Sequence, residues 1–162
     1  MFWKWVTVIG LSMTPALILG QSAACAAGIG FGMNRWLLML VVSVSSFTEG
    51  MIVTWLAGLS AKIPWLKRIL ARFHKPSAIA WCEKWGPWGG LFLGVAVVGI
   101  EPILVSLKWM SVDTKKIVLP LAASSVVFTV VYYYLVAFGY EQAGNADGVW
   151  STFRELWEYV RE

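Results

Sequence analysis

Apolar residues collect into four long stretches, 5–33, 36–59, 86–110 and 117–139, divided by short polar connections and one basic segment, 60–84. Stretches 36–59 and 117–139 each match the roughly 20 apolar residues that a helix needs to cross a bilayer, and they predict two full spans. The other two stretches are interrupted. Stretch 5–33 contains Pro15 and then a run of small residues between Gly20 and Gly32; it exceeds one span but falls short of two at a rise of about 1.5 Å per residue. Two readings fit it. In one, the helix breaks at Pro15 and turns back inside the protein, where small residues admit close packing. In the other, one long tilted helix kinks at Pro15 and a glycine-rich loop follows. Stretch 86–110 repeats the design, opening on Gly86-Pro87-Trp88-Gly89-Gly90 and interrupted at Glu101-Pro102.

The distribution of charge bears on that second stretch. Residues 61–85 carry Lys62, Lys67, Arg68, Arg72, Lys75 and Lys84 against Glu83 alone, which predicts a cytoplasmic loop by the positive-inside bias. Lys115 and Lys116 share that side only if 86–110 dips into the membrane and returns, so the charges favour a re-entrant hairpin. Within the loop, Trp65, Leu66, Ile69, Leu70 and Phe73 recur at helical spacing with Lys67, Arg68 and Arg72 between them. A short amphipathic helix on the leaflet surface follows. Residues 147–162 place Trp150, Phe153, Leu156, Trp157 and Val160 at the same spacing among acids, predicting a C-terminal amphipathic helix that rests on the membrane or on a partner.

Composition agrees with this pattern. The 162 residues are 59% hydrophobic and 14% charged, against about 45–50% and 25% in soluble domains. The chain therefore reads as an all-α polytopic membrane protein with two spanning helices, two Pro-broken segments and the C-terminal helix. Residues 1–146 form the membrane domain, whose weakly repeated halves, about 1–60 and 86–146, are joined by loop 61–85. Lys4, the apolar run after it and Ser22-Ala23-Ala24-Cys25-Ala26 imitate a signal peptide. Retention is the better reading, because residues 26–60 continue as membrane sequence. Plasma (inner) membrane placement follows, with loop 61–85 inside. The net charge of +4 is explained by loop placement, and no nucleic-acid partner is expected.

Little enzymatic chemistry is legible. Cys25 and Cys82 form no CxxC pair, and His74, the only histidine, has no clustered second ligand, so no metal and no cofactor are expected. No P-loop, GxSxG, HExxH or Ser/His/Asp pattern occurs, and the chain does not read as an enzyme. The candidate residues are instead polar groups inside apolar stretches. Glu101 lies deep in its segment directly before Pro102; it either binds a cation or proton or caps the helix after the break. Glu49 carries the same two readings. Ser45, Ser46 and Thr48 in one span and Ser124, Ser125 and Thr129 in the other are candidates for a polar interior. Pro15, Pro102, Gly86 and Pro87 mark the hairpin breaks. Lys108 is expected to snorkel to the interface.

The two halves share an order, a Pro-broken segment and then a span with a Ser-Ser and Phe-Thr cluster, which is a sequence mark of many transporters. Over about residues 46–144 the chain resembles the DedA superfamily, also called VTT or SNARE-associated membrane proteins, and most closely its shorter relatives known as small multidrug export proteins. The motifs are Glu83-Lys84-Trp85-Gly86-Pro87-Trp88-Gly89-Gly90, Gly99-Ile100-Glu101-Pro102-Ile103 and Phe138-Gly139-Tyr140 with Gly144. The family's second hairpin carries arginine near the proline, whereas residues 85–107 hold no Lys or Arg; this weakens the carry-over of phosphate-headgroup binding.

The resemblance implies a small transporter or flippase-like protein that moves a lipid headgroup or lipophilic solute, with Glu49 and Glu101 as proton carriers. Its implied partners are membrane lipids and, because the chain encloses little volume, a second copy in a homodimer. A non-transporting membrane scaffold or partner-binding subunit is the alternative.

Overall fold

In the computed structural model, residues 2–12, 19–60, 62–73, 75–95 and 99–142 are described. Pro15, His74 and the predicted helix over 147–162 lie outside them. All regular structure among the described residues is helical. In chain order the helices are α1 (Phe2–Ser12), α2 (Leu19–Gly30), α3 (Arg35–Leu59), α4 (Pro64–Leu70, prolonged by a 3-10 turn, Ala71–Phe73), α5 (Pro76–Gly89, running on into a π-helical turn, Gly90–Gly94), α6 (Ile100–Trp109) and α7 (Thr114–Gln142).

Two helices are long and apolar enough to cross a membrane: α3, and α7 over Thr114–Gly139. Each begins on a side-chain cap. The Asn34 carboxamide oxygen accepts from the Trp36 and Leu37 amides, and the Asp113 carboxylate accepts from the Lys115 amide, satisfying donors that a helix start leaves free. Both helices turn large apolar side chains outward, among them Leu40 and Trp55 on α3 and Leu119 (65% exposed), Leu135 and Phe138 on α7.

Helices α1 and α2 form a hairpin. Lys4 Nζ donates to the Phe31 carbonyl at 3.2 Å, so the start of one helix lies beside the end of the next, and their packing is the closest between any two helices described. A Schellman turn with Gly32 at φ 65° ends α2 and leads into α3. Val8, Ala24 and Cys25 of the hairpin close a buried cluster with Leu38 and Val42 of α3, and Tyr133 of α7 packs on it.

The second hairpin lies at the opposite end of the long helices. Predicted residues 65–73 do form a helix, α4, whose Leu66 and Leu70 bury against Ala57 and Val105 while Trp65 and Ile69 stay exposed. Residues 76–85, read from the sequence as loop, are the first arm of α5. At Gly86 (φ 61°, ψ −167°) the chain doubles back, which brings Gly90 against the Cys82 sulfur and Ile103. Pro87 then occupies the first helical position, where its missing N–H costs nothing. Gly99 (φ 99°, ψ 161°) is the N-cap of α6, whose Ile103 packs against Gly90 and Gly94. Only glycine tolerates positive φ combined with fully extended ψ, so glycine is required at Gly86, where the chain doubles back, and at Gly99, where α6 starts. Leu91, Ile103, Leu104, Leu107, Ile117 and Leu121 make the core at this end.

Pro102 does not mark the break itself. The helix starts at Ile100 after its N-cap, Gly99, and Pro102 falls in its first turn, where a proline removes no intrahelical bond.

Candidate functional site

Two contacts at Gly50 set the register of the three helices that meet in mid-bundle. A methyl group added there would stand 2.8 Å from Leu121 Cδ1 and 3.3 Å from Leu104 Cδ1, so α7 and α6 close on α3 at this residue. At the far end, the Trp109 indole N–H donates to the Ser60 hydroxyl at 3.0 Å. Together these contacts make α6 parallel to α3, and the packing of Tyr133 on the cluster of Leu38 and Val42 makes α7 antiparallel to it. One turn back along α3 lies Ser46; the corresponding steps lead to Ser125 on α7 and to Glu101 at the start of α6. Glu49, on the same side of α3 as Ser45 and Ser46, stands close enough to Glu101 for their charges to interact.

The first hairpin reaches the same level from the other end. Ala24 and Cys25 sit at Val42, and one further turn toward the start of α2 brings Gln21 level with Ser45. Val8 belongs to that cluster, so Ser12, the last residue of α1, arrives there as well. Tyr133 packs on the cluster, which places Thr129 one turn inward. The described ends of α1, α2 and α6 thus converge on one polar layer, completed by α3 and α7.

Burial is nearly complete in this layer. Glu101 is 5% exposed, and Ser12, Ser45, Ser46, Ser124, Ser125 and Thr129 are all buried; Glu49 is half-buried. The Ser12 and Ser124 hydroxyls donate to the carbonyls of Ile9 and Leu121. The hydroxyls of Ser46, Ser125 and Thr129, and Oε1 of Gln21, have no hydrogen-bond partner among the described residues. A backbone dipole enters too: the start of α6, with a partial positive charge of about +0.5, points at the layer.

Five of the six hydroxyls expected inside are buried there, but Thr48 is not. It shares an outward stripe of α3 with the exposed Val44 and Trp55, and its hydroxyl turns back to the Val44 carbonyl at 2.8 Å. Glu101 sits in the first turn of α6 without the capping bond that one reading gave it: the N-cap is Gly99, and no side chain caps this helix. Lys108 reaches away from the layer, donating to the Val112 carbonyl at 3.3 Å and to Thr114 Oγ1 at 3.1 Å. There it lines a cleft of about 640 Å³ with Lys67, Trp109 and Asp113. Ser12 and Gln21 were missed from the sequence. Counting back across the short turn at 31–34 would have found Gln21, since antiparallel neighbours joined by a tight turn pair by position.

No family model, no curated protein and no solved structure matches the chain. Among the described residues no three His, Cys, Asp or Glu side chains gather as a metal site would require.

Proposed function

We propose that the chain is a small multi-pass inner-membrane transporter of the DedA type, moving a lipid headgroup or lipophilic solute in exchange for protons carried by Glu49 and Glu101. In this reading α3 and α7 span the bilayer, and the hairpins α1–α2 and α5–α6 enter from opposite faces. Over their described residues α1, α2 and α6 are about 15–18 Å long at 1.5 Å per residue, half the roughly 30 Å hydrocarbon thickness. In this reading their described ends fall near the midplane, where broken helices meet solute in many secondary transporters. The outward apolar faces of α3 and α7 suit lipid and would be costly in water.

The observation that carries the proposal is the proximity of Glu49 to the buried Glu101, close enough for their charges to interact, in a layer where the described ends of α1, α2 and α6 meet. A carboxylate in such a place is expensive unless it serves an ion or proton pathway. The test is flux in proteoliposomes of a fluorescent phospholipid analogue and of a lipophilic dye cation, with and without a pH gradient. Wild type should respond to the gradient and Glu101→Gln should not. Equal gradient-driven flux in the variant removes the proton role.

A further inference from the structure

We infer that the polar layer is a binding site for one sodium ion, held by the carboxylates of Glu49 and Glu101 and the hydroxyls of Ser46, Ser125 and Thr129. Its role in coupling rests on the transporter reading above; the binding itself does not.

Three independent features point to a cation. The hydroxyls of Ser46 (2% exposed), Ser125 (2%) and Thr129 (0%) lack any hydrogen-bond partner among the described residues, and buried polar atoms are rarely left so. They lie on two helices within about one turn of each other by register, and Gln21 adds an unpartnered carbonyl oxygen from a third. Two carboxylates stand at that level, while the nearest lysine in sequence, Lys108, is engaged with Val112 and Thr114 at the end of the bundle. Lone pairs thus converge on negative charge with no basic side chain among the described residues to receive them.

The donor set selects the ion. Every candidate ligand is oxygen, and neither a thiolate nor an imidazole lies in the layer, which argues for a hard cation over a transition metal. Magnesium dehydrates reluctantly and keeps several waters in its shell, which a layer of buried side chains disfavours. A calcium ion pays a Born cost that rises with the square of its charge, and the positive end of α6 cancels part of the carboxylate charge that would repay it. Sodium needs one compensating charge, and hydroxyl and amide oxygens complete its shell.

The test uses the purified full chain in detergent, with radiolabelled sodium binding measured in choline buffer under mildly alkaline conditions. Saturable binding is expected, resisting equal concentrations of potassium or calcium. Ser46→Ala and Ser125→Ala should each weaken it about tenfold or more, the scale on which shell changes reduce metal affinity. Glu101→Gln should abolish it. Ser106→Ala, another buried hydroxyl without a partner but nearer the loop end of α6, should leave it unchanged. The inference is overturned by absence of saturable binding in folded wild type, by equal displacement with potassium or calcium, or by a Ser106→Ala loss as large as that of Ser125→Ala. Where Glu101→Gln fails to fold, the two serine variants decide. Proton-driven flux without sodium binding would remove the inference and leave the transporter reading; sodium binding without flux would do the reverse.

Discussion

Trp109 donates its indole N–H to the hydroxyl of Ser60 across 3.0 Å, tying the end of α6 to the end of α3. This bond sets α6 parallel to α3 and so holds Glu101 at the height of Glu49. Trp109→Phe keeps the aromatic bulk and deletes the donor. A loss of about 0.5–1.5 kcal/mol is expected, read as a lower melting temperature in detergent. Ser60→Ala should cost somewhat more, since it also deletes the 2.6 Å bond from the Ser60 hydroxyl to the Ala57 carbonyl, and the double variant should cost little more than Ser60→Ala alone. Full additivity would show the bond to be incidental.

The Glu49 and Glu101 carboxylates are close enough for their charges to interact, with no cation within salt-bridge distance among the described residues, an arrangement that serves function at the expense of stability. Glu49→Gln removes one of two like charges and should raise the melting temperature in sodium-free buffer by an amount equivalent to about 0.5–2 kcal/mol, the usual gain from relieving a functional strain. Gradient-driven flux should disappear in the same variant. A melting temperature that falls by that amount would place Glu49 in a structural role.

Gly99 turns the chain into α6 at φ 99°, ψ 161°. Gly99→Ala should destabilise by about 1–3 kcal/mol, the cost of holding a side chain in that region. Gly139→Ala is the control: nothing lies within 4 Å of the added methyl, and the melting temperature should stay level or rise slightly, since alanine favours helix.

Cys82 sits under Gly90 and Ile103 in the first arm of α5, and burial, with Glu83 adding its charge, pushes its thiol up to about 11. At neutral pH the thiol is almost wholly protonated and hidden, and the thiolate is the reactive form. In a Cys25→Ser background, maleimide labelling should therefore be far slower than that of a denatured sample. Gly86→Ala, which strains the fold-back covering Cys82, should accelerate it. Equal labelling rates for native and denatured chain would contradict the fold-back.

The long helices were legible because their apolar runs are uninterrupted and capped at Asn34 and Asp113. The short ones were legible only where chemistry punctuates them. Gly86-Pro87 announces a reversal, whereas Glu101-Pro102 points past the start of α6, because a proline in the first turn looks in sequence like a breaker. Residues 76–85 read as loop because their charges outweigh a weak apolar stripe, yet Ala78 and Cys82 alone suffice to bury that arm. Of the polar layer, the serines and acids stood out against apolar neighbours. Which of them face inward did not: Thr48 and Glu49 are adjacent, and only packing separates an outward stripe from an inward one.

The two hairpins pack in separate clusters, Val8, Ala24, Cys25, Leu38 and Val42 at one end and Leu91, Ile103, Leu104, Ile117 and Leu121 at the other. Neither cluster includes a buried residue of the other hairpin, and α3 and α7 alone thread through both. The acids therefore stand at a seam and not inside a single core. Each cluster covers the layer from its own side, so a substitution that loosens one hairpin leaves the buried contacts of the other intact.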